Sequence, residues 1–203
     1  MQSNLVASGT TSLATNAFGH AKYTIKRPFF TFFGRKFHVY APDGTMVMYV
    51  NHKLFTWKDE WIVYSDESEK TPLLRVKARA AIALNMTTDV TDAQTGEKVG
   101  TIRARGLKSI LHDTWDILDL NDQPVGLFTE DSLAILRRFL PILLGKWHGE
   151  MGGQKVVMLS QVFRFFTKEF TLDLSMSGGR IDPRLAVACS LLALTREIQR
   201  EQS

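Results

Sequence analysis

Two short runs set a cation at every second residue. In Leu74-Arg75-Val76-Lys77-Ala78-Arg79 the apolar residues fall on one face of an extended chain and Arg75, Lys77 and Arg79 on the other. Val99-Gly100-Thr101-Ile102-Arg103-Ala104-Arg105 repeats the arrangement, with Ile102 and Ala104 inward and Arg103 and Arg105 outward, and Lys108 follows closely. If the two strands lie near one another, these cations share a patch suited to phosphate groups. Guanidinium forks grip phosphate bidentately, and a basic residue near an anionic membrane is worth about 1 kcal/mol. The competing reading is a solvated strand face whose charges serve solubility.

Other chemistry is sparse. His20, His38, His52, His112 and His148 are scattered, with no zinc-ligand spacing. No nucleophile elbow, dinucleotide fingerprint or phosphate loop occurs. His112-Asp113 would point to opposite faces of a strand and so cannot share a site. Cys189 lies among apolar residues, where a thiolate is costly. These features predict a protein that is not an enzyme, carries no cofactor and presents no metal site of its own.

The elements that must position the cations come from patterning. A chain of 203 residues with 44% apolar and 10% aromatic residues can bury a sizeable core. A single cysteine leaves no internal disulfide and fits a reducing, cytoplasmic setting. The charge of +4 and pI near 9.2 mildly favour anionic partners. Without a base-reading motif, nucleic acid is not an expected partner. Residues 1–21 carry no Lys, Arg, Asp or Glu and read as a flexible leader before one domain, 22–203. No run of 18 apolar residues occurs, so no membrane-spanning helix is expected and any membrane contact would be peripheral.

From Lys22 to Asp173 short alternating runs are separated by turns every 8 to 12 residues, the pattern of an antiparallel sandwich or barrel. Three hairpins share a plan in which an apolar strand meets an acidic turn: around Pro42-Asp43-Gly44, Asp92 to Gly96, and Asp119 to Asp122. A helix is expected over Thr129 to Arg138, with acids first and Arg137 and Arg138 last. A second begins with Asp182 as cap and Pro183 as first residue. Its stretch Leu185 to Leu194 is apolar on every side, while Arg196 to Glu201 should emerge into water. A helix apolar all round needs an enclosing wall, which predicts a closed antiparallel β-barrel around a central C-terminal helix. The phenylalanine-rich stretches Phe29 to Phe33 and Phe139 to Leu144, and Phe163, Phe165 and Phe166, read as core or barrel wall, with a loop dipping into a membrane interface as the alternative.

Phe32-Phe33-Gly34-Arg35-Lys36-Phe37-His38-Val39-Tyr40 before Pro42-Asp43-Gly44, and Val90-Thr91-Asp92 with Thr95-Gly96-Glu97-Lys98-Val99-Gly100, resemble the LURP-one-related family. Leu107 to Ile110, Asp113-Thr114-Trp115, Glu130-Asp131-Ser132 and Asp182-Pro183-Arg184-Leu185-Ala186 extend the resemblance across about Lys22 to Glu197. It implies a fold shared with phospholipid scramblases and the tubby C-terminal domain, mainly β, with about twelve strands around the helix. A scramblase-like calcium segment would fall at Asp173 to Asp182. Only Asp173 and Asp182 could serve there as carboxylate ligands, which leaves them weak candidates for an ion that takes six to eight oxygens.

Three functions follow as expectations. The first is a non-catalytic domain that binds anionic phospholipid, phosphoinositide or another phosphorylated ligand through Arg75, Lys77, Arg79, Arg103, Arg105 and Lys108. The second is a scaffold that holds a protein partner. The third is scramblase-like lipid transport, for which the apolar helix is too short to cross a bilayer.

Overall fold

The computed structural model describes residues 16–28, 35–52, 60–79, 86–106, 113–131, 144–165 and 167–201. Twelve strands run in chain order: β1 (Lys22–Pro28), β2 (Arg35–Tyr40), β3 (Met46–His52), β4 (Glu60–Tyr64), β5 (Pro72–Ala78), β6 (Thr87–Asp92), β7 (Lys98–Ala104), β8 (Thr114–Leu118), β9 (Pro124–Glu130), β10 (Lys146–Met151), β11 (Gln154–Val162) and β12 (Thr167–Asp173). A helix, α1 (Pro183–Glu201), follows. Each strand pairs antiparallel with its neighbours in sequence, and β1 pairs with both β2 and β12. The sheet is therefore a closed barrel without edges, which leaves no strand open to pairing with another chain.

Alternation within strands gives the wall two faces. Val63, Val76, Val90, Ile102, Ile117, Phe128, Trp147, Leu159 and Phe170 are buried inside, one from each of β4 to β12. The helix fills the space they enclose. From Leu185 to Leu194 only Leu192 falls short of full burial, and it too packs on the core. Consecutive buried residues cover the whole circumference of a helix, so wall surrounds α1. Its small residues, Ala186, Ala188, Cys189, Ser190 and Ala193, keep it slim, and the Ser190 hydroxyl donates to the Ala186 carbonyl at 2.9 Å. Where α1 passes β7 the approach is close: a Cβ on Gly100 would lie 2.9 Å from Leu185 Cδ2 and 3.2 Å from the Leu118 carbonyl oxygen, so a larger residue there would require the Leu185 side chain to move.

The turns at one rim share a device. Asp43, Asp66, Asp92, Asp119 and Asp173 each accept a hydrogen bond from the backbone N–H two residues on, at 2.8–2.9 Å. Asp182 does the same to Arg184 N at 2.8 Å, which makes it the α1 N-cap that Pro183 follows. The acidic turns read from the sequence are thus structural.

Several expectations change. Thr129 and Glu130 belong to β9, because the alternation that puts Phe128 inward continues through Glu130; the rest of the helix expected over Thr129 to Arg138 lies outside the described residues, except Asp131. Of the expected leader, Ala17 and Phe18 are buried in the core, because both are apolar and stand just before β1. The tail of α1 does not simply run into solvent, since Ile198 is buried and Arg200 is anchored inside the barrel. Phe163 and Phe165 are 56% and 81% exposed, off the wall, because β11 has already ended at Val162. Phe166, Phe29 to Phe33 and Phe139 to Leu143 lie outside the described residues.

Candidate ligand-binding face

Strands β5 and β7 are separated by β6, so their cations stand about 9.5 Å apart as second neighbours. β6 contributes an acid: Asp89 lies across from Lys77 on one side and from Thr101 on the other. β4 and β8 contribute Glu60 and Asp116, opposite Lys77 and Arg103. The outer wall therefore alternates acid, base, acid, base, acid from β4 to β8, the complementarity that stabilises cross-strand pairs.

Most of the cations are engaged in this pattern. Arg75 Nη1 donates to Glu60 Oε1 at 2.8 Å. Arg79 grips Asp89 through Nε and Nη2, at 2.7 and 2.6 Å, and Asp122 through Nη1 and Nη2, at 2.8 and 2.9 Å. Lys98 Nζ reaches the same Asp122 at 2.7 Å, and the Thr101 hydroxyl lies within hydrogen-bond distance of both Asp89 and Asp122. Arg103 and Arg105 converge on Asp116, with Arg103 Nη2 at 3.0 Å and Arg105 Nε at 2.6 Å. Lys77 is exposed, and among the described residues no carboxylate bonds to it: Glu60 bonds Arg75, and Asp89 bonds Arg79 and Thr101. Lys108 lies outside the described residues.

The carboxylates respond to these partners. Hydrogen bonds from Arg79 and then Lys98 hold the Asp122 carboxyl well below the usual range. Burial pushes Asp89 and Asp116 upward, but their arginines outweigh it and both remain below the ordinary aspartate value. All three are thus anionic at neutral pH and neutralise much of the face. Arg75 still has Nε and Nη2 to offer, and Arg103 has Nη1, so an arriving anion could add to the network without breaking it.

Asp173 and Asp182 have other duties. Asp173 accepts from Ser175 N at 2.9 Å and pairs with Lys22 at 2.9 Å; Asp182 caps α1 and, with Asp92, holds the Arg184 guanidinium. Among the described residues no three His, Cys, Asp or Glu gather into a metal-binding group. His148 lies between Asp131 at 2.6 Å and Glu150 at 3.3 Å, and His38 contacts Glu67 at 2.6 Å. Cys189 is buried, and burial pushes its thiol up to about 12, far from a reactive thiolate.

A second ionic cluster was missed by patterning. Inside the barrel Arg200 joins Asp113 Oδ2 at 2.5 Å and Glu130 Oε2 at 3.0 Å, and the two carboxylate side chains are 3% and 1% exposed. Burial raises the Asp113 carboxyl above its usual value, against the pull of Arg200. The parity of β9, which assigns Glu130 to the side of Phe128, was the available signal. The cluster is a latch at the far end of α1 rather than a solvent-facing site.

No protein-family model and no curated protein matches the sequence. Among solved structures, the X-ray structure of the Arabidopsis thaliana protein AT5G01750 aligns with 88% of this chain and 91% of that one, at 12% identity and a TM-score of 0.49. No helix among the described residues is long and apolar enough to cross a membrane.

Proposed function

We propose that the chain is a non-catalytic, tubby-like binding module of the LURP-one-related kind that engages anionic lipid headgroups, or another phosphorylated ligand, through the outer face of β5 and β7. The observation that carries this reading is Lys77, exposed and without a bonded carboxylate among the described residues, between Arg75 and Arg79 on one outward face and across β6 from Arg103. Among the described residues six cations stand on this face, Lys98 included, against the four carboxylates Glu60, Asp89, Asp116 and Asp122. The surplus is positive, and the guanidinium groups that hold it are already oriented by their acids. Orientation in advance lowers the entropy cost of binding a phosphate.

Co-sedimentation with neutral and anionic vesicles over a salt series tests the reading. Binding to anionic vesicles should weaken as salt rises, and Lys77→Glu should weaken it about fivefold or more, from about 1 kcal/mol for each basic residue at such a surface. Equal recovery with neutral and anionic vesicles would remove the proposal.

A further inference from the structure

The two rims of the barrel differ in kind. Because β1 to β12 form an up-and-down barrel, successive connections leave alternately from opposite rims. At one rim the strand ends are joined by 41–45, 65–71, 93–97, 119–123 and 152–153, and 174–182 leads from β12 to α1; together these carry eight Asp and Glu against two Lys and Arg. Only 4 of their 33 residues are Leu, Ile, Met, Phe or Trp. At the other rim the described residues of the connections are 79, 86, 105–106, 113, 131, 144–145 and 163–165, which carry Arg79, Arg105 and Arg164 against Asp113 and Asp131.

The described part of that second rim presents aromatic side chains to solvent. The β11–β12 connection presents Phe163 and Phe165, 56% and 81% exposed, packed edge to face with ring centroids 5.3 Å apart. Arg164 stands exposed between them, its Nη2 3.3 Å from Glu169. Beside them the β10–β11 ladder continues through Gln161 N donating to Gly145 O at 2.8 Å, which brings Leu144, 37% exposed, and Lys146, also exposed, alongside. Leu120 and Met176 are exposed singly at the opposite rim, but the two phenylalanines are the exposed aromatic pair among the described residues and stand in contact at the tip of a hairpin, which marks an interaction surface.

We infer that the β11–β12 tip, with the adjoining start of β10, enters an anionic bilayer, with Phe163 and Phe165 at the boundary of headgroups and acyl chains and Arg164 and Lys146 among the headgroups. Charge selects this occupant: an aromatic tip flanked by cations matches a membrane interface, whereas the opposite rim, rich in carboxylates, would be repelled by it. Lys77 and Arg103 lie toward the ends of β5 and β7 that open on the same rim, so an upright barrel would bring them toward the headgroup layer as well. The inference rests on the lipid reading for the class of partner and adds the surface, the depth and the orientation.

The test uses the full chain with phosphatidylcholine vesicles, with and without phosphatidylserine, at about 0.1 M and about 0.5 M salt, where screening separates the charged from the apolar contribution. Phe163→Ser with Phe165→Ser should weaken binding to phosphatidylserine vesicles at least about tenfold at both salt concentrations, with an unchanged melting temperature. Lys77→Glu should act mainly at the lower salt. The fluorescence gained in Phe165→Trp should be quenched by lipids brominated near the top of the acyl chains, a readout independent of the serine variant. If the serine variant binds like the wild type and the fluorescence gained in Phe165→Trp is not quenched while Lys77→Glu weakens binding, the insertion is overturned and the headgroup reading stands. If the wild-type chain binds neither vesicle, both fall.

Discussion

Arg200 is the residue on which the most charge turns. It reaches down the barrel from the last turn of α1 and compensates two carboxylates that have almost no contact with water. Removing one partner of such a cluster leaves uncompensated buried charge, so Arg200→Met should cost about 3–5 kcal/mol at neutral pH, measured by urea unfolding. The pH dependence has a definite sign. Burial raises the folded-state Asp113 carboxyl above its unfolded value, so this group costs stability above the ordinary aspartate range, and the cost recedes as pH falls and the carboxyl takes up a proton. The deficit of Arg200→Met should therefore shrink between pH 7 and pH 5; an equal deficit at both values would contradict a buried-charge origin. Asp89, Asp116 and Asp122 on the outer wall have the opposite sign. Their depressed values give stability above the ordinary aspartate range that is lost as pH falls through the depressed values.

Among the elements, α1 owes its position to both of its ends. Asp182 starts it by accepting from Arg184 N, and the Arg184 side chain ties that start to Asp92 at the end of β6. Asp182→Ala should cost about 1 kcal/mol in thermal or urea unfolding, while Asp182→Asn, which can still cap, should recover most of the loss. If both variants lost the same amount, the ion pair to Arg184 rather than the cap would be the stabilising contact. The strands are held differently. Lys77 faces Glu60 and Asp89 on its two neighbours and Arg103 faces Asp116, so from β4 to β8 outward charge of both signs supports the register that the alternating apolar side chains set inside.

At the scale of the whole molecule the barrel and its helix are one cooperative object. The wall residues from Val63 to Phe170 face α1, and without it they would line a void. A chain ending at residue 181 should lose its cooperative melting transition and bind hydrophobic dyes, because an unfilled barrel of this width either collapses or exposes its interior. A sharp transition in that chain would mean that the wall stands by itself. The helix also runs between unlike rims: it starts at the carboxylate-rich one beside Asp182 and ends near Asp113 and Glu130, at the rim where Phe163 and Phe165 are exposed. Its length of about 28 Å spans the wall.

The sequence alone carried the class of fold. Alternation at period two is visible residue by residue, each Asp turn announces itself, and the Asp182-Pro183 start with an all-apolar run demands an enclosing sheet. Those are local signals, set by backbone preference and by what each side chain would lose in water. Parity also put Arg75, Lys77, Arg103 and Arg105 on the outside correctly. It could not reveal that β6 stands between the two basic strands, that Asp116 sits opposite Arg103, or that Arg200 meets Asp113 and Glu130 from 70 and more residues away. Which charge faces which depends on the order and stagger of strands around a closed wall, and no stretch of sequence contains that information until the ring has closed.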